Sequence, residues 1–321
     1  MKTSNAVLLS TVITLGLVAA LGGLVLGGGW WLKRTMQVSP PLAPSPHAAP
    51  AAKAQVQADA VLAPYRQRLE ATRRPVAQVR LQPMAQDDRL ASKVGGRPYW
   101  TADKPYPRDA RGQPLALLAQ VDLAKLPPLR GYPTHGMLQF FIGGDDFYGA
   151  NLDDGNDLAA LSAQRNFRVV YWPRPEASAR QAEVPLPAAD TLPFDPAHPR
   201  AMQFTAGEET IGSSDVHVEQ ALGRPLDEIA AAYAGRHALA QDDVDEALYE
   251  ALNRSGHKLG GYPEFTQEDP RKAQDAQVLL LQLDSDEEMM WGDSGIANFF
   301  IDPADLQRAD FSRVAYNWDC Y

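Results

Sequence analysis

Cysteine is nearly absent from this chain: in 321 residues there is only Cys320. That excludes an intrachain disulfide and a Cys-rich zinc site. Neither GxGxxG nor GxxxxGKS/T occurs, so no phosphate-cradling loop is expected. The six histidines, His47, His135, His198, His217, His237 and His257, form no HExxH motif or close pair, which argues against a histidine zinc site. No metal and no cofactor are therefore expected. Basic residues are also scarce where they would matter. Residues 1–58 hold Lys2, Lys33, Arg34 and Lys53 and no acid, so the rest carries 26 basic against 40 acidic side chains, a net of −14. A domain that acidic does not grip a phosphate backbone, which excludes nucleic acid as a partner. Anionic lipid headgroups would repel it as well.

Charge is missing altogether from Ala6 to Leu32. As a helix these 27 residues would rise about 40 Å, more than a hydrocarbon core of roughly 30 Å. Trp30 and Trp31 close the run and Lys33-Arg34 stops it, as expected at a membrane interface. The run is too long for the apolar region of a cleaved signal peptide. Residues 1–34 thus read as a transmembrane anchor. Residues 35–58 read as a Pro/Ala-rich linker, whose SPPLAPSPHAAP segment suits a semi-rigid spacer. Residues 59–321 form the remaining domain. Charge barely sets the orientation of this single span, because Lys2 opposes Lys33 and Arg34. The tether and short N-tail tilt the domain to the extracytoplasmic side. Between residues 55 and 74, Val61, Leu62, Tyr65 and Leu69 recur at helical spacing.

What is present is a duplication. Lys93-Val-Gly-Gly-Arg-Pro-Tyr-Trp100 is echoed by Lys258-Leu-Gly-Gly-Tyr-Pro-Glu-Phe265. Apolar runs follow, ending in Gln120-Val121-Asp122 and Gln282-Leu283-Asp284. Then come Gly136 to Ile142 and Gly295 to Ile301, each ending in Phe-Phe-Ile. The three matches keep their order while the offset drifts from 165 to 162 to 159, as loop deletions would produce. Two copies, about 92–142 and 257–301, are too few for a solenoid and fit one pseudo-twofold domain. The Gly-Gly-x-Pro steps read as tight turns and the apolar runs as buried strands. Arg168 to Tyr171 and Arg313 to Tyr316 are further strand candidates, and Asp302-Pro303 has the chemistry of a helix start. Helices are expected at 225–234 and 242–254, and a long loop at 173–199. The class that follows is α+β, with two β-rich pseudo-repeat halves forming one domain and helices inserted between them.

These motifs, with Pro105-Tyr106-Pro107, Trp291-Gly292-Asp293-Ser294-Gly295 and the terminal Asp319-Cys320, resemble the YwqG-like family, a bacterial domain of unknown function. The resemblance covers most of 75–321. It implies an α+β fold and no established activity, substrate or cofactor. Its members are mostly soluble cytosolic proteins, so the anchor departs from the pattern and the resemblance tilts placement to the cytosolic side.

Gly292-Asp293-Ser294-Gly295 is similar to the nucleophile loop of trypsin-like proteases, but the histidine segment that chemistry needs is missing, so a glycine-bounded turn is the better reading. Asp284 to Glu288 lacks the glycine and distal glutamate of a calcium loop. Candidate ligand-binding residues are Trp291 and Asp293, beside Met289 and Met290, and the paired Gln120, Asp122, Gln282 and Asp284 at equivalent strand ends. Packing and turn-capping are the competing roles for the same residues. With no complete catalytic constellation, the expected function is a non-enzymatic binding or protein-interaction module displayed from the membrane. Its acidic surface favours a basic protein partner, and a toxin-neutralising, immunity-like protein is one version. The alternative is a hydrolase or small-ligand enzyme with a site at the junction of the halves.

Overall fold

In the computed structural model, residues 56–151, 157–184 and 186–321 are described. The expected anchor at 6–32 and nearly all of the linker lie outside them. Among the described residues no helix is long and apolar enough to cross a membrane.

Ten strands form one antiparallel sheet: β1 (Arg74–Pro83), β2 (Lys93–Val94), β3 (Ala116–Asp122), β4 (Met137–Ile142), β5 (Phe167–Trp172), β6 (Arg200–Glu209), β7 (Lys258–Gly260), β8 (Val278–Asp284), β9 (Ile296–Ile301) and β10 (Ala315–Asp319). Their order is β10-β9-β8-β7-β1-β6-β2-β3-β4-β5. The sheet curls until its outer arms face each other. Phe140 of β4 meets Phe299 of β9 with ring centroids 4.9 Å apart, and Phe167 of β5 meets Tyr316 of β10 at 5.2 Å. The result is a near-barrel whose main core fills the space between the arms. Strands β3, β4, β8 and β9 are buried almost end to end, because loops cover their outer faces as well. Leu115, Leu117, Met137 and Phe141 pack outward in one arm; Leu279 and Phe300 do so in the other. Unbroken apolar runs, rather than alternation, are the sequence mark of such strands.

The strand pairing repeats on the two sides of the sheet. β2-β3-β4-β5 and β7-β8-β9-β10 are arranged alike on either side of a central pair, β1 and β6, which runs in register from Arg74↔Glu209 to Pro83↔Arg200. Each central strand opens its own half yet pairs with the second strand of the other: β1 with β7, β6 with β2. The β3–β4 and β8–β9 pairs also shift register at the same place, between Leu117 and Ala119 and between Leu279 and Leu281. A bulge repeated at equivalent positions is a built feature.

The halves differ mainly in one connection. Between β1 and β2 the chain needs only residues 84–92, whereas between β6 and β7 it builds α4 (Val218–Leu222), α5 (Leu226–His237) and α6 (Gln241–Leu252). With α1 (Ala58–Leu62) and α2 (Arg66–Ala71) these bury a separate cluster including Val61, Leu69, Ile229, Ala230, Val244 and Leu248. α5 runs three residues past the expected end and stops where Ala238 turns left-handed, its amide bonded to Ala234 O. The helix expected over 55–74 is interrupted: a 3-10 turn at Ala63–Tyr65 divides α1 from α2, since Pro64 has no amide to offer. Asp302 does cap α7 (Pro303–Gln307), accepting from Ala304 N at 2.7 Å. A short α3 (Leu158–Leu161) completes the set.

Candidate functional site

Each predicted ligand-binding glutamine is fully buried. Gln120 Nε2 donates to Arg89 O (3.0 Å) and Ala91 O (2.9 Å), and its Oε1 accepts from Tyr99 N (2.9 Å). Gln282 Nε2 donates to Arg254 O and Gly256 O (both 2.9 Å), and its Oε1 accepts from Glu264 N (2.8 Å). Arg89, Ala91 and Tyr99 stand 165 residues before Arg254, Gly256 and Glu264, so the brace is one device made twice. Gln139 Nε2 extends it to Tyr99 O at 2.8 Å, as Asn298 Nδ2 does to Glu264 O at 2.8 Å. Asp122 caps Ala124 N at 3.2 Å, and Asp284 accepts from Gly256 N at 2.7 Å. Their own amides donate to Ser92 Oγ and His257 Nδ1, another equivalent pair. These residues hold turns to strand ends.

Trp291 is fully buried, edge-on to Tyr148 with centroids 5.7 Å apart, and its indole N–H has no protein partner. Asp293 is exposed, and its carbonyl accepts from Tyr321 N. Ser294, with φ +56°, is likewise exposed. The structure thus places Trp291 in the core and Asp293 on the surface.

Two partly buried His–Asp contacts lay outside the sequence reading. His257 Nδ1 accepts from Asp284 N (3.0 Å), so Nε2 carries the proton shared with Asp286 Oδ2 (3.0 Å); Arg200 completes the group at 2.7 Å. Burial would raise the Asp286 carboxyl, but the His257 and Arg200 hydrogen bonds outweigh it and hold it well below the usual range. His217 Nδ1 faces Asp215 Oδ1 (3.0 Å) and its Nε2 faces Asp275 O (3.2 Å). Both partners are acceptors, so both ring nitrogens donate and the imidazolium is favoured; its pKa is raised, chiefly by Asp215. Arg271 bridges Asp215 (2.8 Å) and Asp269 (2.6 Å). In both of these histidines the two ring nitrogens are committed, which leaves neither free for proton transfer. Among the described residues no three His, Cys, Asp or Glu side chains gather to hold a metal ion.

Among the described residues, two open surfaces bear on binding. The first is the outer stripe of α6, where Asp242, Glu246, Tyr249 and Glu250 are exposed, Tyr249 by 63%. These positions follow the i, i+4, i+7, i+8 pattern of one helix face, while Val244, Leu248 and Leu252 are buried beneath. Over 225–253 there are seven acids against the single cation Arg236. The second is a cleft of about 310 Å³ where the halves meet. One half contributes Arg74, Leu129, Arg130 and Tyr132, the other Gly260, Gly261, Val278 and Leu306. A junction site was expected, but none of its predicted residues lines this cleft.

The fold and its duplicated bracing define a β-rich α+β domain of two pseudo-equivalent halves with a helical insertion in the second. The chain belongs to the family described as a domain of unknown function, DUF1963, which matches residues 92–320. No curated protein matches it.

Proposed function

We propose that this protein is a non-enzymatic binding module that docks a basic protein partner through the outer face of α6. The observation that carries this reading is the stripe Asp242, Glu246, Tyr249 and Glu250, an exposed aromatic set among carboxylates. Tyrosine is favoured at interface hot spots, and surrounding charge of one sign steers an oppositely charged partner. The residues that recur in both halves support it from the other side, because they are spent on bracing main chain rather than on chemistry. The YwqG-like resemblance is kept as the narrower reading of the family, and neutralisation of a basic toxin as the narrowest version of the function. Residues 6–32 are proposed to tether the module to a membrane as a single-pass anchor, with the extracytoplasmic side favoured for the domain.

The test is retention of host proteins by the immobilised chain at low and moderate salt, beside a Glu246→Lys/Tyr249→Ala variant. A single basic protein held near stoichiometric amount, weakened by salt and lost in the variant, is expected; truncating a hot-spot tyrosine costs about 2 kcal/mol or more of binding. Equal retention by the variant, or no retained protein, would overturn the α6 surface.

A further inference from the structure

The two halves serve as controls for each other. Where they match, as in the glutamine braces, the residues hold the fold; where they diverge, one half is free to do something else. They diverge beside the Gly-Gly turns. In the first half the turn at Gly95 is crowded by Phe194, whose Cε2 would lie 3.4 Å from an added Cβ. The hollow there is lined by Asp195, His198, Arg200 and Glu288, and its cations are paired: His198 with Asp195 at 2.7 Å, Arg200 with Asp286 at 2.7 Å and Glu288 at 3.4 Å.

Beside Gly260 of the second half, Leu129 from the first half takes the place of Phe194, and the cleft next to it is built differently. Leu129, Val278, Leu279 and Leu306 give it apolar walls. Tyr132, partly buried against the main core, donates to Leu280 O at 2.7 Å and fixes the floor. Arg73, Arg74 and Arg130 stand over it. Arg73 is occupied by Glu70 and, at 3.7 Å, by Glu208. Arg74 rests on the Tyr262 ring, 4.4 Å from its centroid. Arg130 is exposed and has no hydrogen-bond or ion-pair partner among the described residues. The same three arginines line an adjoining hollow beside Thr72, His217 and Tyr262. In a domain of net −14, three guanidinia on one concave, apolar-walled surface run against the overall charge.

We propose that this cleft binds a phosphate monoester carrying a short apolar group, with Arg130 and Arg74 on the phosphate and Leu129, Val278 and Leu306 against the apolar part. A phosphate monoester carries close to two charges at neutral pH, which suits two guanidinium forks. The volume is at the low end for ligand pockets, which limits the apolar part to a short chain or a single ring. A soluble ester and a lipid headgroup present the same chemistry.

The full chain in phosphatidylcholine nanodiscs is titrated calorimetrically with hexyl phosphate. Saturable binding is expected, weakened by about tenfold or more in Arg130→Gln, since one charge-assisted hydrogen bond is worth about 1.5–3 kcal/mol. Arg236→Gln, an exposed helix arginine away from the cleft, should leave it unchanged. Inorganic phosphate should bind more weakly than hexyl phosphate. Phosphatidic acid added to the same discs identifies the source: competition assigns the cleft to a lipid headgroup, and none assigns it to a soluble ester. Absence of hexyl phosphate binding, or equal affinity in Arg130→Gln, would overturn the proposal and leaves the α6 reading untouched.

Discussion

Lys93 and Lys258 occupy the same point in the two halves, and both are wholly buried. Each ammonium meets a carboxylate close to the end of the first strand of its own half: Asp87, in the loop after β1, for Lys93, and Glu209, the last residue of β6, for Lys258. Each carboxylate also accepts an amide from the turn that follows the lysine. Asp87 takes Arg97 N at 2.7 Å and Glu209 takes Tyr262 N at 3.1 Å, residues that are again 165 apart. Burial lowers both lysine pKa values, and the carboxylates oppose that shift.

Removing one member of such a pair strands the other. Lys258→Met should cost about 3–5 kcal/mol, because Glu209 is left with a side chain only 9% exposed. Lys93→Met should cost less, since Asp87 is 23% exposed and water can reach it. The double change Lys258→Met/Glu209→Gln should recover part of the loss. Urea unfolding of the three variants checks the order, and an Lys93→Met loss exceeding that of Lys258→Met would contradict it.

Glycine replacements should split by sign. Gly235 lies inside α5 with open space where a Cβ would go, so Gly235→Ala should stabilise by about 0.5–1 kcal/mol. Gly261 has φ +69°, and a Cβ there would run into the Glu209 carboxylate. Gly261→Ala should therefore destabilise, and by more than the usual cost of alanine at positive φ. Thermal unfolding of the two variants reads both signs.

The His217 cluster predicts a pH window. The imidazolium is favoured in the folded state, with its pKa raised mainly by the Asp215 hydrogen bond. Its contribution is complete below the ordinary value of about 6.5 and is lost as pH rises through the raised folded value. Asp215 behaves oppositely. Burial pushes its carboxyl up, but His217 and Arg271 outweigh that and hold it well below the usual range. Its contribution is complete above about pH 4 and is lost on acidification. Stability from this cluster should peak between those limits. His217→Gln should flatten the alkaline side, which urea midpoints at about pH 6 and about pH 8.5 would measure.

Much of this architecture was legible in the chain. The Gly-Gly turns are there, with Gly95, Gly96, Gly260 and Gly261 all near φ +70°, and so are the apolar strands and the helix start at Asp302. The central strands were not. β1 reads RPVAQVRLQP and β6 reads RAMQFTAGEE, polar enough and half-exposed enough to show neither a continuous run nor clean alternation. The lysine–carboxylate pairs were hidden for a related reason. Asp87 precedes its lysine by 6 residues and Glu209 by 49, because the helical insertion separates the second pair. The glutamines looked like a site because they recurred at strand ends, where bracing and binding leave the same trace in sequence. Nothing local marked Leu129-Arg130 as facing Gly260, since that approach depends on how one half folds over the other.

The crossed partnership of β1 and β6 has a meaning for descent. A chain ending in the loop at 173–199 would keep β1 beside no β7 and leave β2 without its neighbour, an open edge inviting a second copy. Two such copies trading their first strands would rebuild the whole sheet as a symmetric dimer. Joining two such copies end to end would give the strand order seen here. Each half of such a joined chain is free to diverge alone, as the three helices between β6 and β7 do in one half and Arg130 of the cleft does in the other.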